Sequence, residues 1–332
     1  MAMNDLGRDK LDWSPEIWNQ IDRAVHDEAK RTKIAAQFLP LHSAEMEART
    51  IQSDAVNSQT IPLLTVNEEA ETPLIEIFTE FALTKQQYDR EEHLMTAVTL
   101  AINAVNKLSR AEDLLIFQGK LGIADDLFQS QTVNLRGAKF NPDTKQIESR
   151  FPIVGLLPAA PDDQIIPVEP TEVNNPPSQN RYGENTFGAV ARGYSILQRT
   201  HYGRDALVLP TNPFADTWAP LKTTLIMPAD RIKGLVGDRF YSTSTLPNDF
   251  DSSDNYANAT VPQGLLVALD GNTMDLVMGM DATTAFMQVD GEGLYRFRVY
   301  ERFTLRLKDP KAVVRLEFQQ SSKEGFKPLD KS

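Results

Sequence analysis

"ERFTLRLKDPKAVVRLEF", residues 301–318, is the stretch from which the rest of the chain is best read. Its first half alternates with a period of two. Phe303, Leu305 and Leu307 fall on one face of a strand, and Arg302, Arg306 and Lys308, joined upstream by Arg298, fall on the other. Asp309-Pro310 turns the chain, and Val314, Leu316 and Phe318 resume the alternation, so the stretch is expected to form two paired strands. Such a ribbon, apolar on one side and basic on the other, calls for a reason in a chain with 46 acidic and 34 basic residues and a net charge of −12.

With 332 residues, 41% of them hydrophobic, the chain has room for two domains or for one large domain with excursions. It has no cysteine, so neither a disulfide framework nor a thiolate metal site is available, and a reducing compartment is its simplest home. The first residues, "MAMNDLGRDKLDW", are charged, and no stretch approaches the roughly 18 apolar residues of a membrane span. A cytosolic protein with no membrane partner is expected. The acidic excess repels polyphosphate at long range and argues against tight binding of free nucleic acid.

Trp13-Ser14-Pro15-Glu16 reads as a helix start, with Ser14 as cap, Pro15 at the first helical position and Trp13 stapled onto Trp18. Ile17, Ile21, Ala24, Val25, Ile34, Ala35 and Phe38 then recur at helical spacing until Pro40. From Leu41 to Thr72 the chain is acidic and poor in helix signals, carrying Glu45, Glu47, Asp54, Glu68, Glu69 and Glu71. Its two short apolar runs suggest a two-stranded arm. "LIEIFTEFALT" (74–84) alternates as a strand, and Asp89 to Gly119 reads as one long helix of roughly 45 Å, a spine. Residues 122–186 hold eight of the twenty prolines and read as an irregular insertion. Beyond it come a helix near 187–197, a buried strand "DALVLP", a helical turn at 230–235, and the strands "GLLVALD", "MDLVMGM" and "AFMQV".

The motifs that carry chemistry are missing. His26, His42, His93 and His201 are scattered, and His93 one turn after Asp89 makes a solvated helical ion pair rather than a ligand set. "YGENTFGAVARG" fits neither a dinucleotide fingerprint nor a phosphate loop, and no nucleophile elbow occurs. Asp249, Asp251 and Asp254 lack the glycine and terminal glutamate of a calcium loop, and the acceptor triplet at Asn258 has no meaning in a cytosolic chain. The chain is expected to be no enzyme and to hold no metal or cofactor. What it does offer is surfaces that one copy cannot satisfy. The acidic arm (Glu68, Glu69, Glu71) and the basic ribbon (Arg298, Arg302, Arg306) are complementary, and a contact of one with the other on a second copy closes into rings or shells when repeated.

The order of blocks "PLIEIFTEFALTKQQYD", "AVNKLSRAEDLLIFQG", "RDALVLPTNPFADTW", "RIKGLVGDRFYSTSTL" and "ERFTLRLKDPKAVVRLEF" resembles that of the encapsulin (linocin-type) shell proteins, which share the fold of tailed-phage major capsid proteins. The resemblance implies an α+β fold with an N-terminal helix (1–40), an extended loop (41–72) and a peripheral domain with the spine helix (73–121). After the proline-rich insertion (122–186) it implies a mainly axial domain (187–296) and terminal strands that return to the peripheral domain (297–332). It further implies self-assembly through pentamers and hexamers into an icosahedral shell. "LPLHSAEMEART" stands where encapsulins carry a glycine-proline-glycine-like stretch, and the chain is longer than theirs. Both departures favour a phage or prophage capsid, a virion part assembled in the bacterial cytoplasm around double-stranded DNA held without specific recognition, with a decorating or cement protein as a further partner. The alternative is an encapsulin nanocompartment of the bacterial cytoplasm, in which a groove lined by Ile17, Ile21, Phe38 and Leu39 docks a peptide of a cargo enzyme.

Overall fold

In the computed structural model the two halves of the 301–318 stretch are strands, but they do not pair with each other. The structure describes residues 6–45, 48–52, 55–57, 65–67, 71–141, 146–149, 153–174, 179–200, 203–220, 225–248, 261–270 and 272–320. In chain order the elements used below are α1 (Pro15–Thr32), β1 (Leu41–Ser43), β2 (Ile75–Leu83), α2 (Thr96–Gln118), β3 (Asn134–Leu135), β4 (Ile165–Val168), α3 (Gly183–Leu197), β5 (Asp205–Pro210), α4 (Pro228–Val236), β6 (Phe240–Thr243), β7 (Gln263–Ala268), β8 (Met274–Val289), β9 (Tyr295–Leu307) and β10 (Val313–Phe318). They fall into two units, one made of Met1–Gly155 and Met274–Lys308, the other of Leu156–Thr273 and Asp309–Ser332.

The first unit is built on a five-stranded sheet in the order β1-β8-β9-β2-β3. The long hairpin of β8 and β9 runs antiparallel from Met274↔Leu307 to Val289↔Tyr295, with register shifts that bend it. "MDLVMGM" and "AFMQV" are therefore parts of one strand, not two. On β9 the residues Phe297, Val299, Glu301, Phe303 and Leu305 are all buried, and α2 packs on this strand and on β2. Period two gives β9 this face, and Glu301 is its one charged member.

The spine is shorter than its sequence suggests. Lys85–Asp89 and Glu91–Leu94 are separate short helices, Met95 turns in the left-handed region at φ 50°, and α2 starts only at Thr96. The reason lies in Glu91, whose buried carboxylate accepts from the amides of Ala97 and Val98 and so satisfies the N-terminus of α2. Its pKa is raised because burial outweighs those hydrogen bonds. The 23 residues of α2 span about 35 Å. Gly119 ends the helix at φ 60°, where a glycine is needed. A Cβ on Gly155 would lie 2.2 Å from the Gly119 nitrogen, so the two backbones touch there. Asp89 pairs with Lys85 at 3.3 Å instead of with His93.

The helix expected up to Pro40 breaks at Lys33, leaving α1 and a single turn, Ala35–Phe38. Trp13 does staple onto Trp18, ring centroids 5.1 Å apart, while the Ser14 side chain makes no cap hydrogen bond. Trp18, Ile21, Val25 and Ala29 form the buried stripe of α1, which packs on α2 and β8 while Trp18 lies against Phe297 of β9. The arm region holds two short antiparallel pairs, Thr50–Gln52 with Glu71–Pro73 and Ala55–Asn57 with Thr65–Asn67.

The second unit carries a sheet in the order β4-β10-β7-β5-β6, with α3 and α4 among its helices. Here β10 pairs with β7 antiparallel and with β4 parallel, so Val313 and Val314 are both fully buried. Asp309-Pro310 is a crossing between sheets rather than a hairpin turn. Residues 309–320 thus belong with the second unit and 274–296 with the first, unlike the partition implied by the family resemblance. The physical reason is that alternation predicts a strand's faces, not its neighbour. Pro167 lies in β4, an edge strand, where its missing N–H is tolerated.

Candidate assembly and docking surfaces

The arginine face of β9 is matched first by its own sheet. Arg306 makes a bidentate pair with Asp275, Nε to Oδ1 at 2.9 Å and Nη2 to Oδ2 at 2.7 Å, and Lys308 adds a contact of 3.0 Å to the same carboxylate. Burial would raise the Asp275 pKa, but these hydrogen bonds outweigh it and hold it below the usual range. Arg302 sits opposite Glu76 in the strand register and Arg298 opposite Glu80. Glu76 in turn pairs with Arg136 at 2.9 Å. The Arg298 guanidinium lies 4.7 Å from the Tyr300 ring centroid and 5.3 Å from that of Phe78. Arg306 therefore already has an intrachain partner in Asp275. Of the three arm glutamates, Glu71 is exposed on its short strand, whereas Glu68 and Glu69 lie outside the described residues, as do Asp249, Asp251, Asp254, Asn258 and His201.

The residues expected to line a groove are mostly interior. Ile21 is fully buried, Phe38 and Leu39 nearly so, and Ile17 is half-buried, so α1 and α2 close on each other instead of leaving a channel. An open cleft of about 600 Å³ lies instead at the C-terminal end of α1, toward the sheet edge β1. Ala29, Ala36, Leu41 and Met278 give it an apolar floor, and His26, Lys30, His42 and Asp281 a polar rim. Leu41 is 61% exposed, unusual for a leucine in a strand, and β1 is an edge strand whose three residues are all exposed.

At the base of this cleft lies a charge cluster that sequence reading did not single out. The Lys33 Nζ is 2.6 Å from Glu112 Oε2, 2.6 Å from Glu301 Oε2 and 3.5 Å from Asp281 Oδ1. Lys33, Glu112 and Glu301 are all buried. The neighbouring Asp113, also buried, accepts from the amides of Ile34 and Ala35, which holds the turn where α1 ends. Burial alone would push the Lys33 ammonium down, but Glu112, Glu301 and Asp281 outweigh it and raise its pKa well above the usual value. Burial pushes all three interior carboxyls up, Asp113 to about 7 and Glu301 to about 8, with Lys33 opposing. A metal-binding group of His, Cys, Asp or Glu is absent among the described residues, and none of their helices is long and apolar enough to cross a membrane.

This α+β arrangement, two sheets with a long helix against one of them and an extended arm, is the fold of encapsulin shell proteins and tailed-phage major capsid proteins. A family model described as "Encapsulating protein for peroxidase" matches residues 3–125, from α1 through α2. A virus-like particle from Pyrococcus furiosus aligns over 90% of this chain and 99% of its own at 14% identity, with a TM-score of 0.61. The capsid of an empty GTA particle aligns over 88% and 90% at 12% identity with a TM-score of 0.53, and a structure from Mycobacterium phage Bobi over 87% and 91% at 15% with 0.50. No curated protein matches the sequence.

Proposed function

We propose that the chain is a structural subunit that self-assembles into a closed protein shell, and that this shell encloses protein cargo. The observation that carries the reading is the docked N-terminal helix. α1 packs on α2 with Trp18, Ile21 and Val25 buried, and the span from one helix to the other is the part that the encapsulating-protein family model matches. The cleft beside α1 supplies what a short cargo segment needs, an apolar floor, a charged rim and the exposed edge of β1 for strand addition. Contacts between copies run through the arm, Glu71 with Glu68 and Glu69, and through the face of β9 at Arg298 and Arg302. The chain has a scaffold's role in this reading, not a catalyst's.

The second reading is the DNA-filled head of a phage or prophage, favoured by the likeness to the GTA particle capsid and to the structure from Mycobacterium phage Bobi. A net charge of −12 then suits a lumen that holds DNA without gripping it. Particles isolated from cells that make the chain separate the two. Cargo predicts an absorbance free of nucleic acid and one co-purifying enzyme, lost when Leu41 and Met278 are replaced by aspartate. Long double-stranded DNA in the particles overturns the cargo reading in favour of the head.

A further inference from the structure

The Lys33 cluster places more negative than positive charge in the protein interior. One ammonium faces two fully buried glutamates, and the buried Asp113 lies against the same turn. The charged or titratable groups beside them at the cleft are His26 from α1, 3.6 Å from Asp281; Asp281 from β8, 55% exposed and so solvated; and Lys30 and His42 on the rim. None of these supplies a second buried cation. Among the described residues Glu112 Oε1 and Glu301 Oε1 find no hydrogen-bond donor, and the two carboxyls are brought together by the one Lys33 Nζ that lies 2.6 Å from the Oε2 of each. Two carboxylates in that position repel, and a proton between them supplies the missing donor.

We infer that the docking of the N-terminal helix is a proton-operated latch, in which Glu112 and Glu301 share one proton over Lys33 and give it up when α1 leaves α2. The location makes the cluster a latch. Lys33 is the residue at which α1 ends, Asp113 holds the next two amides, and Thr32 donates to Ser109 of α2 at 2.8 Å. One helix terminus is thereby joined to the long helix and, through Glu301, to the central hairpin.

The sign follows from the direction of the shift. Glu301 is raised from an ordinary carboxylate value to about 8, so its contribution is fully present in acid and is lost as pH rises from the ordinary range through about 8. Opening that releases the Glu301 proton becomes about tenfold more frequent per pH unit across that window, Asp113 adds a second proton below about 7, and the effect levels off above about 8.

Amide hydrogen exchange of the full-length protein between pH 5 and 10, corrected for intrinsic exchange, tests this. Peptides from α1 are expected to lose protection by at least about tenfold per unit up to about pH 8, more steeply below about 7 where Asp113 adds its proton, then to plateau, while peptides from β7 in the other sheet stay flat. Glu301→Gln keeps the shape and puts an N–H where the proton sat. It should flatten the α1 profile by about tenfold per unit, and Glu112→Gln should do the same should the first variant fold poorly. An α1 profile in the wild type that parallels β7 overturns the latch, as does a Gln variant with an unchanged slope.

Discussion

Leu307 and Val313, six residues apart, lie in different sheets: Leu307 pairs with Met274 of β8, and Val313 pairs with Val267 of β7. Between them Asp309 accepts from the Lys311 amide, and its own amide donates to Thr273, the residue where the chain crosses in the opposite sense. The stretch that looks like a hairpin is thus the seam at which one continuous chain contributes to two cores.

Ending the chain after Lys308 tests that seam. It removes β10 from between β4 and β7 and strips the burial from Leu265, Leu266 and Ile166, while β9 keeps both of its neighbours. Exchange protection is expected to collapse in β5 and β7 and to survive in β8 and β9. Loss confined to β8 and β9 would mean that the terminal strands pair with each other after all.

Lys33→Met should be among the most damaging single changes outside the apolar core. It fits the space but leaves Glu112 and Glu301 buried without their cation, a change that costs about 3–5 kcal/mol when one partner of a buried pair is removed. Chemical denaturation of the first unit measures it. Adding Glu301→Gln and Glu112→Gln to Lys33→Met should recover much of the loss, because the uncompensated charge, not the missing pair, is the cost.

The fold was legible wherever one residue row reports one face. The alternating strands β2 and β9 and the buried strand "DALVLP" appear in the structure as read, and α1 does so in part, keeping Ile21 and Val25 in its stripe while Trp18 and Ala29 take the places given to Ile17 and Ala24. Strand partners were not legible, because β10 has the same alternation whether it lies beside β9 or β7. The helix breaks at Lys33 and Met95 escaped for a related reason: each is held by a carboxylate that caps the backbone, Asp113 from a distant helix in one case and Glu91 of the preceding turn, which helical spacing alone does not single out, in the other. The charge cluster did leave a trace, since Glu301 occupies the apolar row of β9. Attention to the basic face, where Arg306 turns out to be held by Asp275, drew the reading past it.

The central claim is that this chain makes shells, and the most direct measurement is the mass and shape of the purified full-length protein at micromolar concentration and physiological salt, by light scattering with negative-stain electron microscopy. Many modest interfaces acting together should give closed particles of uniform size whose formation rises steeply with concentration. A single sharp species at the chain mass of 37.2 kDa, with no particles on the grid, would contradict the account.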